Sequence, residues 1–318
     1  MNLIRKHSTQ PVMLIDGSPL LYINGNRPDY KASIDAFMQE FAEHCGTSRY
    51  IGFIDGGKSF RTTISPTYKA TRVKTNLLEL YPFIHRVRDY LITKYKFVEV
   101  HGLEGDDAIA IMNKRLNGAR YYTRHDKSRV YKTEFNTVII TIDKDLLQLP
   151  GLHINIKTRV AHHVTENSSV IKITETKKFI ATSYKLLYAQ CMLGDTADNI
   201  KGLAGYGPVK SYNLLSNCST PLEAYQIVLN EYRKVYCAPS DDPEYELALT
   251  LQLVTLIEEC DGFNSPEIQC LFTIYDNCQE RERDNNTTTE SITEDQDIQV
   301  SVHTESATIL FDEDTAGI

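Results

Sequence analysis

Apolar and polar positions alternate along the chain in two rhythms. Short apolar runs end in aspartate: Pro11 to Asp16 (PVMLID), Tyr50 to Asp55 (YIGFID) and Thr137 to Asp143 (TVIITID). Their length, β-branched content and the Gly or Asp punctuation predict buried strands feeding turns. Between them apolar residues recur at helical spacing, as Ile34, Phe37, Met38 and Phe41 within Ala32 to Cys45, and as Ile109, Met112 and Leu116 after Glu104. These predict helices packed by one face. Pro82 to Tyr95 reads as another helix, and Phe97 to His101 and His153 to Lys157 read as further strands. Strand alternating with helix predicts an α/β core with a mostly parallel central sheet flanked by helices. Ligands of such sheets gather beyond the carboxyl ends of the strands, where Asp16 and Asp55 fall side by side.

Beyond Thr174 the pattern turns helical, over Tyr184 to Leu193, Pro221 to Val235 and Pro243 to Ile257. Gly205-Tyr206-Gly207 precedes a helix start carrying Lys210. Such a turn exposes backbone N–H groups suited to a phosphate. The expected organisation is an α/β core over 1–173, a helical domain over 174–278, and an acidic, disordered tail over 279–318.

Charge changes the picture because it is unevenly spread. The net charge is −8, yet the tail from Gln279 holds eleven acids against two arginines, leaving 32 basic and 31 acidic residues before it. From Gly56 to Leu78 the chain carries Lys58, Arg61, Lys69, Arg72 and Lys74 with no acid, interleaved with Phe60 and Tyr68. Cations among aromatics are what a phosphate backbone and unstacked bases require. Seven cysteines without a CxxC pair read as reduced thiols, and His162-His163 as surface polarity. No apolar run approaches a membrane span, and Val12 to Ile15 is too short for a signal-peptide core. A soluble, monomeric, cytoplasmic chain is the expectation.

The acids supply the chemistry. Glu104-Gly105-Asp106-Asp107 opens a helix directly after a strand, and Asp16, Asp55, Asp143 with Asp145, and Asp195 with Asp198 end other apolar segments. Nine carboxylates in one cleft raise each other's pKa unless cations intervene. All-oxygen ligation selects Mg²⁺ or Mn²⁺ over zinc. Two such ions about 4 Å apart can clamp the attacking and leaving oxygens of a phosphodiester. The sequence lacks GxxxxGK[ST], GxSxG and HExxH, and no GxGxxG follows a strand, which removes the common NTPase, serine hydrolase, zincin and dinucleotide readings. Metal-assisted phosphodiester hydrolysis is the leading expectation. A catalytically silent nucleic-acid-binding protein, acting through the basic segment and the acidic tail, is the alternative.

Seven segments in register carry a resemblance: Ile15-Asp16-Gly17, Ile54-Asp55-Gly56, Phe60-Arg61, Tyr68 to Arg72 (YKATR), Glu104 to Asp107 (EGDD), Asp143 to Leu149 (DKDLLQL), and Gly194-Asp195 to Gly207. The chain resembles the flap endonuclease and 5′-3′ exonuclease family, which includes the 5′-nuclease domain of bacterial DNA polymerase I and the phage 5′ exonucleases and ribonuclease H enzymes. The resemblance implies a PIN-like nuclease core, a helical arch over about 58–95, and a helix-hairpin-helix-type C-terminal domain with a helix-turn-helix element at about 194–215. It implies that Asp16, Asp55, Glu104, Asp106 and Asp107 serve a first metal, and Asp143, Asp145, Asp195 and Asp198 a second. Lys69, Arg72 and Asp107 are then the catalytic candidates. Lys58, Arg61, Tyr68, Lys69, Arg72, Lys74, Gly205, Gly207 and Lys210 are the expected nucleic-acid contacts, with Tyr68 stacking on a terminal base. A K⁺ at the helix-turn-helix element belongs to the resemblance alone. Implied substrates are DNA with a 5′ flap or 5′ end, and an RNA:DNA hybrid. Two departures stand out: Gly105, where the family has Ala, is expected to loosen its turn, and Ile142 replaces a frequent Gly. The tail is expected either to dock a basic replication protein or to repel non-specific DNA.

Overall fold

The computed structural model describes residues 11–70, 77–117, 136–165, 169–175 and 178–259. Arg72, Lys74 and the acidic tail lie outside the described residues. Val12–Asp16 forms β1, followed by α1 (Ser18–Asn24), α2 (Tyr30–Cys45), β2 (Tyr50–Ser59), the single turn α3 (Arg61–Ile64), α4 (Leu77–Tyr95), β3 (Val98–Gly102), α5 (Gly105–Asn117) and β4 (Thr137–Thr141). A short 3₁₀ turn at Asp145–Gln148 leads to β5 (Gly151–Asn155) and β6 (Ala161–Val164). The sheet runs β3-β2-β1-β4-β5-β6, parallel throughout except for the antiparallel edge strand β6.

Strand alternation divides the sheet residues between two layers. Met13, Ile15, Ile54, Val138 and Ile140 pack with Ile34, Phe37, Met38 and Phe41 of α2 and with Leu20, Val87 and Leu91 of α1 and α4. Helix α5 covers the opposite face, across β1, β2 and β4. The first strand sits centrally, with β2 on one side and β4 on the other. The chain order therefore switches direction beside the end of β1, the position where open parallel sheets bind ligands.

After β6 come a hairpin, β7 (Ile171–Ile173) with β8 (Phe179–Ala181), then α6 (Ser183–Leu193), a second hairpin, β9 (Gly194–Asp195) with β10 (Ile200–Lys201), and α7 (Pro208–Leu215), α8 (Pro221–Val235) and α9 (Pro243–Val254). The later helices form their own apolar cluster around Cys191, Met192, Leu215, Val228 and Tyr232, and Tyr68 is packed into it. The β9–β10 hairpin closes very tightly. A Cβ on Gly194, at φ 69°, would stand 2.3 Å from the Gly202 nitrogen, so only glycine fits there.

Several boundaries differ from the sequence expectation. Strand β2 does not stop at Gly56 but continues to Ser59 through a register shift against β3, because a bulge absorbs the two glycines. Helix α4 begins at Leu77 rather than Pro82. Helix α9 ends at Val254 rather than Ile257. No helix among the described residues is long and apolar enough to cross a membrane.

Candidate active site

The same alternation that buries Met13 and Ile15 points Asp16 toward α5. Asp16 is buried, accepts from Thr141 Oγ1 at 2.9 Å, and accepts from the Ser18 N–H at 3.2 Å. Ser18 also donates its hydroxyl to Asp55 at 3.1 Å, so one serine joins the ends of β1 and β2. The Gly105 N–H donates to Asp55 at 2.6 Å. A Cβ on Gly105 would lie 3.3 Å from that carboxylate oxygen. Gly105 thus permits a close approach of Asp55 to the start of α5.

Consecutive helical residues diverge by about 100°, so the paired aspartates of α5 cannot share one direction. Asp106 turns to the cleft, where Asp143, Asp16, Asp55 and Glu104 act on it. Asp107 turns into the protein and is completely buried. Its oxygens accept from Arg61 Nη1 at 2.6 Å and Nη2 at 2.8 Å, from the Glu104 N–H at 3.1 Å and from the Ile257 N–H at 3.0 Å. The assignment of Asp107 to metal binding and catalysis is therefore corrected. Arg61, expected to touch nucleic acid, is only 2% exposed. It also donates to the carbonyls of Leu253 at 2.9 Å and Thr255 at 2.7 Å. Guanidinium forks satisfy such multiple acceptors well. The pair ties α3 and α5 to the chain leaving α9.

A second group of acids closes the cleft from the other side. Asp143 accepts from the Asp145 N–H at 2.8 Å, and Asp145 accepts from the Gln190 amide at 2.8 Å. Asp145 thus faces a partner on α6 and does not act as a simple helix cap. The Asp195 carboxylate organises its loop by accepting from the Ala197 N–H at 2.8 Å. Tyr68 donates to Glu104 at 3.0 Å and to Asp198 at 3.1 Å, and Lys69 Nζ lies 2.5 Å from Glu104 and 3.8 Å from Asp198. Tyr68 is buried, which corrects its proposed stacking on a base: its hydroxyl pins one acid of each group instead. Lys58, Gly205, Gly207 and Lys210 are exposed, and the Lys210 ammonium sits 3.3 Å above the centre of the Tyr206 ring.

Like charge and burial mark the cleft electrostatically. Burial first, then Asp143 and Asp55, push Asp16 up to about 8 against the hydrogen bond from Thr141. Burial and Asp143 push Asp145 up to about 8 as well. Asp106 and Asp143 are raised for the same leading reason. Glu104 is raised by burial, which outweighs the lowering by Lys69 and Arg61. Asp16, Asp55, Glu104, Asp106, Asp143, Asp145, Asp195 and Asp198 therefore converge, while Asp107 does not. Among the described residues, no group of three or more Asp, Glu, His or Cys side chains stands as a ready-formed metal cage. The donor set is nonetheless entirely oxygen, as a hard divalent ion prefers.

The model of the 5′-3′ exonuclease N-terminal resolvase-like domain matches residues 30–179. This stretch, just under half of the chain, is similar to the 5′-3′ exonuclease family. It is 29% identical over 218 residues to DNA polymerase I of Borreliella burgdorferi, covering 66% of this chain and 21% of that protein. It is 25% identical over 220 residues to a 5′-3′ exonuclease of Mycoplasmopsis pulmonis, covering 66% of this chain and 67% of the relative. This chain therefore spans about a fifth of the polymerase and two thirds of the exonuclease. Its fold is similar to bacteriophage T5 5′-exonuclease with zinc bound, at TM-score 0.55, 21% identity, and 79% and 91% coverage of the two chains. It is also similar to bacteriophage T5 flap endonuclease in complex with DNA and metal ions, at TM-score 0.61, 18% identity, and 84% and 98% coverage.

Sequence reading missed the neutral residues that arrange the acids. Ser18 and Thr141 each lie two residues from an acid of the cleft, Asp16 or Asp143, yet each hydroxyl donates to an acid of another strand, Asp55 or Asp16. Arg88 of α4 donates to the Asp55 carbonyl at 2.6 Å and pairs with Glu99 at 2.7 Å. No local signal marked it.

Proposed function

We propose that this chain is a metal-dependent, structure-specific 5′ nuclease that hydrolyses phosphodiesters near the junction of single and double strand in DNA. One observation carries the reading: eight carboxylates from separated segments face one cleft, bridged by the Lys69 ammonium between Glu104 and Asp198. A protein that only bound nucleic acid would gain nothing from such negative charge beside a phosphate ligand. Asp16, Asp55, Glu104 and Asp106 would hold one divalent ion, and Asp143, Asp145, Asp195 and Asp198 would hold or orient a second; we infer Mg²⁺ or Mn²⁺ from the oxygen donors. A divalent ion supplies Lewis-acid stabilisation of phosphate charge and activation of water at neutral pH.

The chain's own side chains do the rest. Ser18 and Thr141 fix the oxygens of Asp55 and Asp16, and Gln190 fixes Asp145. Lys69 is the cation placed to meet an equatorial phosphate oxygen, exchanging Glu104 for the substrate as charge develops. The exposed turn from Gly205 to Lys210 offers backbone N–H groups and an ammonium to the duplex backbone; a K⁺ there rests on family resemblance alone. The similarity to a flap endonuclease bound to DNA supports the same substrate class.

The test is cleavage of an end-labelled 5′-flap duplex with Mg²⁺, beside a single strand, a 3′ flap and an RNA:DNA hybrid. Cutting near the 5′ junction is expected. Binding without cutting at any Mg²⁺ or Mn²⁺ concentration would establish a silent binder and overturn the proposal.

A further inference from the structure

The loop between β9 and β10 grips the segment that follows α3 as well as supplying acids. The Asn199 side-chain amide donates to the Thr67 carbonyl at 2.8 Å. Its neighbour Asp198 accepts the Lys69 N–H on its backbone carbonyl at 2.8 Å and the Tyr68 hydroxyl on its carboxylate at 3.1 Å. Three consecutive residues, Thr67 to Lys69, are thus held by one dipeptide. Both sides of the contact use unusual backbone: Lys69 has φ 56° and Asn199 has φ 57°. Asparagine tolerates the left-handed region, whereas lysine adopts it at a cost that surrounding contacts must offset. With that backbone geometry, the Lys69 ammonium reaches Glu104 at 2.5 Å.

We propose that Asn199 is a positioning residue for Lys69. It touches no reacting atom. Its amide holds Thr67, the Asp198 carbonyl then captures the Lys69 N–H, and the strained residue keeps its ammonium over the cleft. Because β10 runs on into Gly202 and the exposed turn to Gly207, the same latch links the duplex-facing element to the catalytic cation. This inference rests on the nuclease reading above.

Asn199→Gly removes the amide while keeping the left-handed backbone accessible, and Asn199→Ala removes both. In single-turnover cleavage of the 5′-flap duplex, Asn199→Gly should slow the chemical step about tenfold, as loss of one positioning hydrogen bond predicts. Binding measured in Ca²⁺ should change less than about twofold. In a Lys69→Ala background the same change should add less than about twofold, since non-additivity reports action through Lys69. Amide hydrogen exchange at Lys69, measured without metal or substrate, should quicken several-fold. Wild-type cleavage by Asn199→Gly, an equal slowing with Lys69 absent, or unchanged Lys69 exchange would each overturn the proposal. If the unmodified chain cuts no substrate, the nuclease reading fails instead, and the Lys69 exchange measurement still decides whether the latch exists. Should Asn199→Ala fail to fold, the Gly variant carries the test.

Discussion

Replacing Asp107 with Ala separates structure from chemistry in the EGDD segment. The substitution removes four hydrogen bonds that the Asp107 carboxylate accepts: two from the Arg61 fork, one from the Glu104 N–H and one from the Ile257 N–H. Arg61 keeps its charge at 2% exposure, with backbone carbonyls and a 3.4 Å contact to Glu104 remaining. Breaking a buried pair from one side costs about 3–5 kcal/mol, a large share of the roughly 5–15 kcal/mol that stabilises a typical domain. At about 2–4 °C per kcal/mol for a chain of this size class, the melting temperature should fall by on the order of 10 °C. Thermal and urea unfolding of the metal-free protein measure this directly. Cleavage well below the lowered melting temperature should persist, because the eight acids of the cleft remain. Arg61→Met combined with Asp107→Leu should recover much of the lost stability, since neither charge is then stranded. An Asp107→Ala protein that melts like the parent yet cuts nothing would refute the reasoning and return Asp107 to the chemistry.

Asp16 and Asp145, raised from ordinary carboxylate values to about 8, bind protons more tightly folded than unfolded. Their contribution is therefore present in full below pH 4 and lost as pH rises from about 4 to 8. The metal-free melting temperature should fall across that window, and added Mg²⁺ or Mn²⁺ should restore more of it at pH 8 than at pH 5, with proton release visible by calorimetry in two buffers; a flat profile would count against the crowded cleft. Lys69→Ala should slow single-turnover cleavage at least tenfold while binding in Ca²⁺ weakens less, and a change confined to affinity would remove its proposed role. Gly194→Ala should destabilise the hairpin, because its Cβ would meet the Gly202 nitrogen at 2.3 Å on a backbone at φ 69°, which limited proteolysis near residue 200 would report.

Where side-chain direction follows from a short period, the sequence was readable. The unbroken apolar runs in VMLID and TVIIT correspond to strands buried along their whole length, and the spacing of Ile34, Phe37, Met38 and Phe41 to one buried helix face. Asp16 was legible as the acid that ends such a run, at the carboxyl end of a strand where open parallel sheets bind ligands. Arg61 and Tyr68 were not. A basic or aromatic residue in an acid-free window looks solvent-facing until its partner is known, and Asp107 lies 46 residues from Arg61. Tyr68 finds Asp198 at a separation of 130. The strands β6, β7 and β8 span only three or four residues, too short for periodicity to register.

The three acids of EGDD end in three environments, and that separation is what the helix start accomplishes. Glu104 precedes α5 and meets Lys69 and Tyr68; Asp106 faces the other carboxylates; Asp107 anchors Arg61 in the interior. A cleft that concentrates like charge opposes folding unless the frame around it is over-determined. Here the frame is built from groups that either balance the charge or carry none: Arg61 and Lys69 on one side, Ser18, Thr141 and Gln190 on the other. Each of them spans two chain segments, so removing one shifts an acid and loosens a packing contact together. Variants of these five residues should therefore lose stability and catalytic geometry in parallel, whereas loss of Asp106 or Asp143 should relieve repulsion and raise metal-free stability while removing the ligand. That opposite sign, measured by unfolding in the absence of metal, separates the acids that would hold the ion from the residues that hold the acids.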